Sequence, residues 1–171
     1  MTSTTGTMLE FGIKRENEER RDGGCGVVFD PASQRYAVGR RADGRQLFFG
    51  GGVSAAEDIE AGVCREVTEE SGLHDFLYVE KIAEALAHYY NSAKHVNRVA
   101  HATCFLIVLK STHTLSVVHE THEQFSLVWT TAAEMMKNLE ERNQDKGHDH
   151  WIYFLKKSVA RARELGYDQT L

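Results

Sequence analysis

The chain has 171 residues, 42% hydrophobic and 26% charged, a composition that suits one soluble domain built on one core. Lys and Arg total 20 against 25 Asp and Glu, a formal charge of -5, which argues against general nucleic-acid binding. No apolar stretch approaches the roughly 20 residues of a membrane span, and no basic segment leads into an apolar one at the N-terminus, so a cytoplasmic protein without membrane contact is expected.

In chain order, residues 1–22 read as an extension outside the domain: a mobile Ser/Thr/Gly-rich tail from Met1 to Thr7, then a charged, solvated connection from Glu16 to Asp22. A single domain is expected over residues 23–171. Cys25 to Phe29 and Arg35 to Arg40 read as two strands of a hairpin turning through Asp30, Pro31 and Ala32. The short apolar segment Leu47 to Phe49 runs into Gly50, Gly51 and Gly52, where the backbone can approach a ligand or another segment closely. A helix is predicted over Asp58 to Ser71, stopped by Gly72, with Val63 and Val67 one turn apart on its apolar face. Further strands are predicted over Phe76 to Ile82, Val99 to Leu109, Thr114 to Val118 and Phe125 to Thr130. Two helices close the chain, one capped by Thr131 and carrying Met135, Met136 and Leu139, the other striped with Trp151, Leu155, Val159 and Ala162. Strands interrupted by few helices indicate an α/β (α+β) sandwich with a mixed sheet between helices. Cys25, Cys64 and Cys104 are widely spaced and odd in number, so they read as buried thiols, without a disulfide framework or a CxxC site.

The segment from Gly50 to Leu73 carries the chemistry. Glu66, Glu69 and Glu70 stand at relative helix positions zero, three and four and share one face. Like charges so arranged repel, and a cation is the economical compensation. Oxygen ligands favour Mg²⁺, with Mn²⁺ as a substitute, and Mg²⁺ commonly joins a few carboxylates to substrate phosphates. Arg65, four residues before Glu69, is placed to hold that carboxylate.

This segment resembles the Nudix hydrolase signature: Gly, five residues, Glu, seven residues, then Arg-Glu-aliphatic-x-Glu-Glu-x-Gly-aliphatic. The matching positions are Gly51, Glu57, Arg65, Glu66, Val67, Glu69, Glu70, Gly72 and Leu73. The strand order and the two later helices are also similar to that family's sandwich with its catalytic loop-helix-loop. The resemblance implies a Mg²⁺-dependent pyrophosphohydrolase that cleaves a nucleoside di- or polyphosphate derivative by attack of an activated water. It implies Glu66, Glu69, Glu70 and the Gly50 carbonyl as metal ligands, Glu69 and Glu70 with Arg65 as catalytic groups, and Gly51 and Glu57 as supports. Many members have a proline before the glycines where this chain has Phe49, so the loop is expected to depend on packing by Phe48 and Phe49. Gly62 is expected either to open space beside the carboxylate face or to meet a neighbouring strand.

Outside the signature, His88 to Arg98 combines aromatic and cationic groups suited to a base and to phosphates, with Tyr89, Tyr90, Lys94 and Arg98 as the substrate-binding set. Diadenosine-polyphosphate hydrolases in the family tend to carry a tyrosine at this distance after the signature, and ADP-ribose enzymes a proline. Glu123, with Glu120 as its rival, stands where several members place a late acidic base. His119, His122, His148 and His150 lack the zinc spacing and read as surface-loop residues. Three other readings compete: a nucleotide-sensing module without turnover, a member specific for ADP-ribose or nucleotide sugars, and an isopentenyl-diphosphate-type isomerase. A homodimer is compatible with all of them.

Overall fold

Clusters of buried apolar side chains on both sides of a single sheet hold the protein together. The computed structural model describes residues 8–118 and 124–170; Met1–Thr7 and Leu171 lie outside them. The strands are β1 (Leu9–Gly12), β2 (Glu19–Arg20), β3 (Gly23–Asp30), β4 (Arg35–Arg40), β5 (Gln46–Leu47), β6 (Phe49–Gly52), β7 (Phe76–Asn91), β8 (Val96–Leu109) and β9 (Ser126–Thr130). The helices are α1 (Ile59–Ser71), α2 (Ala132–Glu141) and α3 (Asp149–Glu164). The main path through the sheet is β1-β7-β8-β3-β4-β5, with β2 on β8, β6 on β3 and β9 on β4. Pairing is mixed: β3 runs parallel to β8 and antiparallel to β4 and β6.

Side-chain alternation in the central strands feeds both faces. Cys25, Val27 and Phe29 point with Tyr36 and Val38 toward Met135 and Leu139 of α2 and Phe154, Leu155 and Val159 of α3. Val28, Ala37, Phe105, Ile107 and Leu109 point the other way, against Val63 and Val67 of α1. The apolar stripes read from the sequence therefore sit in the core. Asp58 caps α1 by accepting the Ala61 N–H at 3.0 Å, and Gly72, at φ 81°, ends it with its N–H on the Thr68 carbonyl at 2.8 Å. Thr131 and Glu134 form a reciprocal capping box at the start of α2.

Several expectations need correction. β7 continues nine residues past Ile82, because the small buried Ala85 and Ala87 sustain an alternation that weak strand formers hide, and because β8 pairs with it from Phe76 to Asn91. Thr114 to Val118 does not form a strand: an isolated bridge joins Thr114 to Leu73, and among the described residues no strand runs alongside the segment. The charged run Glu16 to Asp22 is not wholly a solvated connection, because Glu19 and Arg20 pair with Arg98 and Val99 of β8 and the Glu18 side chain is only 8% exposed. β1, preceding that run, pairs with β7. Cys25 and Cys104 are buried free thiols as expected, and burial pushes the Cys25 thiol up; Cys64 is half-buried beside the α1 core. His148 stands on a connecting turn, half-buried, whereas His150 does not stand on a surface loop. His148 precedes α3 with its Nδ1 3.1 Å from the Leu139 carbonyl, and His150 is buried against Trp151 and Phe154.

Candidate active site

The carboxylate face of α1 is brought against the glycine strand β6 by the close approach of helix and sheet. A Cβ built on Gly24 in β3 would lie 2.5 Å from Cγ2 of Val63 and 3.0 Å from the Thr103 carbonyl oxygen, so the absence of a side chain there lets α1 settle onto the sheet. β6 follows β3 in antiparallel register, Gly24 opposite Gly51 and Cys25 opposite Gly50. At Gly50 a side chain would sit 2.2 Å from the Gly24 carbonyl oxygen. The aromatic rings of Phe48 and Phe49 flank the loop, Phe48 against Trp151 at 5.2 Å and Phe49 against Phe125 at 6.1 Å. Packing by these two rings is what the departure from proline at position 49 calls for.

Arg65 organises the acidic cluster. Its Nε and one terminal nitrogen donate to the two oxygens of Glu57 at 2.8 and 3.2 Å, and the other terminal nitrogen donates to Glu66 at 3.1 Å and Glu69 at 3.0 Å. One guanidinium thus ties the loop before α1 to two carboxylates on the helix, a fork geometry that an ammonium could not reproduce. Hydrogen bonding to Arg65 holds Glu57 below the usual carboxylate range, and the same bond raises Arg65. Glu70 is tied to the glycine strand, its carboxylate accepting the Gly50 N–H at 3.0 Å. Gly51 lies against Glu66: a Cβ there would be 3.3 Å from Glu66 Cδ and 3.4 Å from each of its oxygens.

Gly62 has a different neighbour from either one expected. A Cβ on it would be 2.9 Å from Val53 and 3.1 Å from Glu57 Cδ, so the missing side chain makes room for the loop that delivers Glu57 to Arg65.

The donor types suit a hard divalent cation: Glu70 on Gly50 and Glu66 beside Gly51 stand where β6 and α1 touch, and Glu69 is tied to the same helix face through Arg65. Among the described residues no three His, Cys, Asp or Glu side chains converge in metal-holding geometry, and Arg65 shares oxygens of both Glu66 and Glu69. Glu120, Glu123, His119 and His122 lie outside the described residues.

The aromatic and cationic interval lies on β7, β8 and the turn between them. Tyr89 stands directly opposite Arg98, and Tyr90 opposite Asn97, so the two tyrosines face opposite sides of the sheet. Arg98 is buried, its Nε has no hydrogen-bond partner among the described residues, and a terminal nitrogen lies 3.5 Å from Glu19. Burial raises the Tyr89 hydroxyl, and the charges of Arg98 and Arg21 oppose that rise. Tyr90 is half exposed, with its hydroxyl 3.2 Å from His95 Nδ1; Lys94 is exposed on the turn, where its N–H donates to Asn91. Of the four substrate-binding candidates, the structure brings together Tyr89 and Arg98 only.

Sequence reasoning missed Asp22. Its carboxylate accepts the His101 N–H at 3.0 Å and its carbonyl the Val53 N–H at 3.4 Å, linking the N-terminal segment to the glycine loop. It also missed a cluster in which buried His88 lies between buried Glu18 and the more exposed Glu10. These partners are 70 and 78 residues apart, so no spacing could have signalled them.

A family model described as NUDIX domain matches residues 20–152. A MutT protein from Bacillus halodurans is 18% identical with a TM-score of 0.57, the alignment covering 80% of each chain. The NUDIX domain of Shewanella oneidensis NrtR, solved in complex with ADP ribose, is 15% identical with a TM-score of 0.57, covering 86% of this chain and 90% of that one. The E. coli ORF135 protein is 19% identical with a TM-score of 0.54, covering 89% of this chain and 96% of that one. No curated protein matches the chain.

Proposed function

The chain belongs to the NUDIX family, as a Nudix hydrolase, and from that premise we propose that it is a Mg²⁺-dependent pyrophosphohydrolase of nucleoside di- or polyphosphates. The observation that carries this reading is the complete acidic face of α1, held by Arg65 and docked on the glycine strand through Glu70 and Gly50. Glu66, Glu69, Glu70 and the Gly50 carbonyl would hold the cation, which when bound neutralises phosphate oxygens and lowers the pKa of an attacking water.

The protein's own groups supply position. Arg65 fixes Glu66 and Glu69 in direction, Glu57 fixes Arg65, and the Gly50 N–H fixes Glu70. A carboxylate accepts the proton of the attacking water. Glu69, Glu70 and, from the family resemblance, Glu123 are the candidates.

Tyr89 and Arg98 form the substrate side. Tyr89 offers a ring for a base and Arg98 a buried cation with an unused N–H, which suits a chain of phosphates. Tyr90 faces the other side of the sheet and Lys94 the solvent, so each contributes less. Nucleoside triphosphates or dinucleoside polyphosphates should outrank ADP-ribose.

A panel of nucleoside triphosphates, dinucleoside polyphosphates, ADP-ribose and nucleotide sugars tests this. Turnover should vanish with EDTA and return with Mg²⁺ or Mn²⁺, and Glu70→Gln should lower kcat by about a hundredfold or more without unfolding the protein. Metal-independent turnover, or normal kcat in Glu70→Gln, refutes the site. ADP-ribose or a nucleotide sugar as best substrate refutes the Tyr89 and Arg98 assignment only, and binding without turnover of any compound supports a sensing module.

A further inference from the structure

His88 lies outside the acidic helix and outside the proposed reaction, yet it is buried between two carboxylates. β1 runs along one side of β7, from Leu9 opposite Ala85 to Gly12 opposite His88. β2 runs along the far side of β8, Glu19 opposite Arg98 and Arg20 opposite Val99. Residues 13–18 must therefore cross the β7 and β8 pair, and Asn97 donates to the Glu16 carbonyl at 2.9 Å along the way. This strap covers His88, which is 4% exposed.

Both ring nitrogens of His88 meet a carboxylate. Nδ1 is 2.6 Å from Glu18, and Nε2 is in hydrogen-bond contact with Glu10. Neutral imidazole has one donor and one acceptor nitrogen, whereas a carboxylate only accepts. Both contacts can be made together only by the imidazolium. Val99 of β8, opposite His88, carries no charge, and on the strap Arg15 touches Glu18 through its backbone N–H. Among the described residues, the charges acting on the ring are those of Glu10 and Glu18. Burial pulls the His88 pKa down, but hydrogen bonds and charge from Glu18 and Glu10 outweigh it, and the net shift is upward.

We propose that His88 is a proton-operated clasp that ties β1, through Glu10, to the far end of the 13–18 strap, through Glu18, and thereby positions Glu19 to Gly23 against Arg98 and the glycine loop. The strap passes directly into the groups concerned. Glu19 lies 3.5 Å from Arg98, Asp22 accepts N–H groups from His101 and Val53, and Gly23 pairs with Gly52. His88 touches none of the reacting groups, so it is a positioning residue. When it loses its proton, one carboxylate faces a lone pair instead of a donor. Because the folded pKa is raised, the clasp is fully closed below the ordinary histidine value and opens as pH rises through the folded value.

The test uses the full chain. In ¹⁵N-histidine NMR at pH 7, with His88 assigned through His88→Gln, both ring nitrogens should carry protons. Hydrogen exchange over residues 13–20, corrected for intrinsic rates, should lose protection through the His88 transition by up to about tenfold per pH unit, the ceiling for one proton, until the clasp is fully open. His88→Gln should be weakly protected and insensitive to pH. If that variant does not fold, Glu10→Gln removes only the more exposed partner and should move the transition to lower pH. A neutral His88 at pH 7, or unchanged protection across its titration, overturns the clasp. A third measurement rests on the proposed nucleotide substrate: KM should rise over the same pH range while kcat holds. If no nucleotide is turned over, that reading fails, while the NMR and exchange measurements still decide the clasp.

Discussion

Gly24→Ala should unseat α1 and separate its effect on catalysis from its effect on folding. The added methyl would start 2.5 Å from Val63 Cγ2, 3.0 Å from the Thr103 carbonyl oxygen and 3.3 Å from Ile59 Cδ1. Carbon atoms at rest lie about 3.5–4.0 Å apart, so Val63 must retreat by about 1 Å. Val63 is fully buried and has no open space to rotate into, so α1 moves with it. Overpacking of this kind costs about 1–3 kcal/mol, offset by the roughly 0.5–1 kcal/mol that alanine gains over glycine in a strand. A net loss of about 1–2 kcal/mol is expected from urea unfolding. Catalysis should suffer more, because a 1 Å misplacement of positioned groups can cost about a hundredfold, and Glu66, Glu69 and Glu70 all ride on α1. Val63→Ala in the same chain removes the colliding methyl. Alone it should cost about 2 kcal/mol, but combined with Gly24→Ala it should recover activity and give a total loss smaller than the sum of the two. Strictly additive stabilities, or wild-type kcat in Gly24→Ala, would refute the argument that this glycine seats the helix.

Other outcomes follow from single contacts. Arg65→Lys keeps the charge but loses the fork that holds Glu57 and spans Glu66 and Glu69, so kcat should fall at least tenfold, on the order of one lost transition-state hydrogen bond, with little change in the unfolding midpoint; wild-type kcat would show that charge alone suffices. Asp168→Ala leaves the buried Tyr36 hydroxyl without its 2.7 Å acceptor and should cost about 1–3 kcal/mol, whereas adding Tyr36→Phe to that variant should cost little more; the double-mutant cycle measures this coupling. Burial, helped by the charge of His148, pushes His150 down to about 3. Its contribution is therefore complete above the ordinary histidine value and declines as pH falls, by roughly 2 kcal/mol between pH 6.5 and 5. A His150→Leu variant should show a flatter acid limb in unfolding experiments, and an unchanged limb would refute the assignment.

The acidic helix was legible in the sequence because it is local. Helical spacing places Glu66, Glu69 and Glu70 on one face whatever the surrounding fold, and Asp58 and Gly72 bound that helix through contacts within four residues. The hairpin of β3 and β4 and the capped α2 were legible for the same reason. Strand alternation likewise sent Tyr89 and Tyr90 to opposite faces.

The tertiary structure decided what distant segments do to one another. Thr114 to Val118 has strand-like residues but, among the described residues, makes a single bridge to Leu73, while Ala83 to Asn91 has weaker ones and pairs fully with β8. The charged run before Gly23 looked solvated because its partners are far away in sequence. Only the crossing over β7 and β8 buries Glu18 and His88 together. Gly62 was ambiguous until Val53 and Glu57 were seen beside it. Periodicity and caps follow from interactions within a turn or two, whereas pairing, burial of charge and the room a glycine must leave depend on chain segments that only the fold brings together.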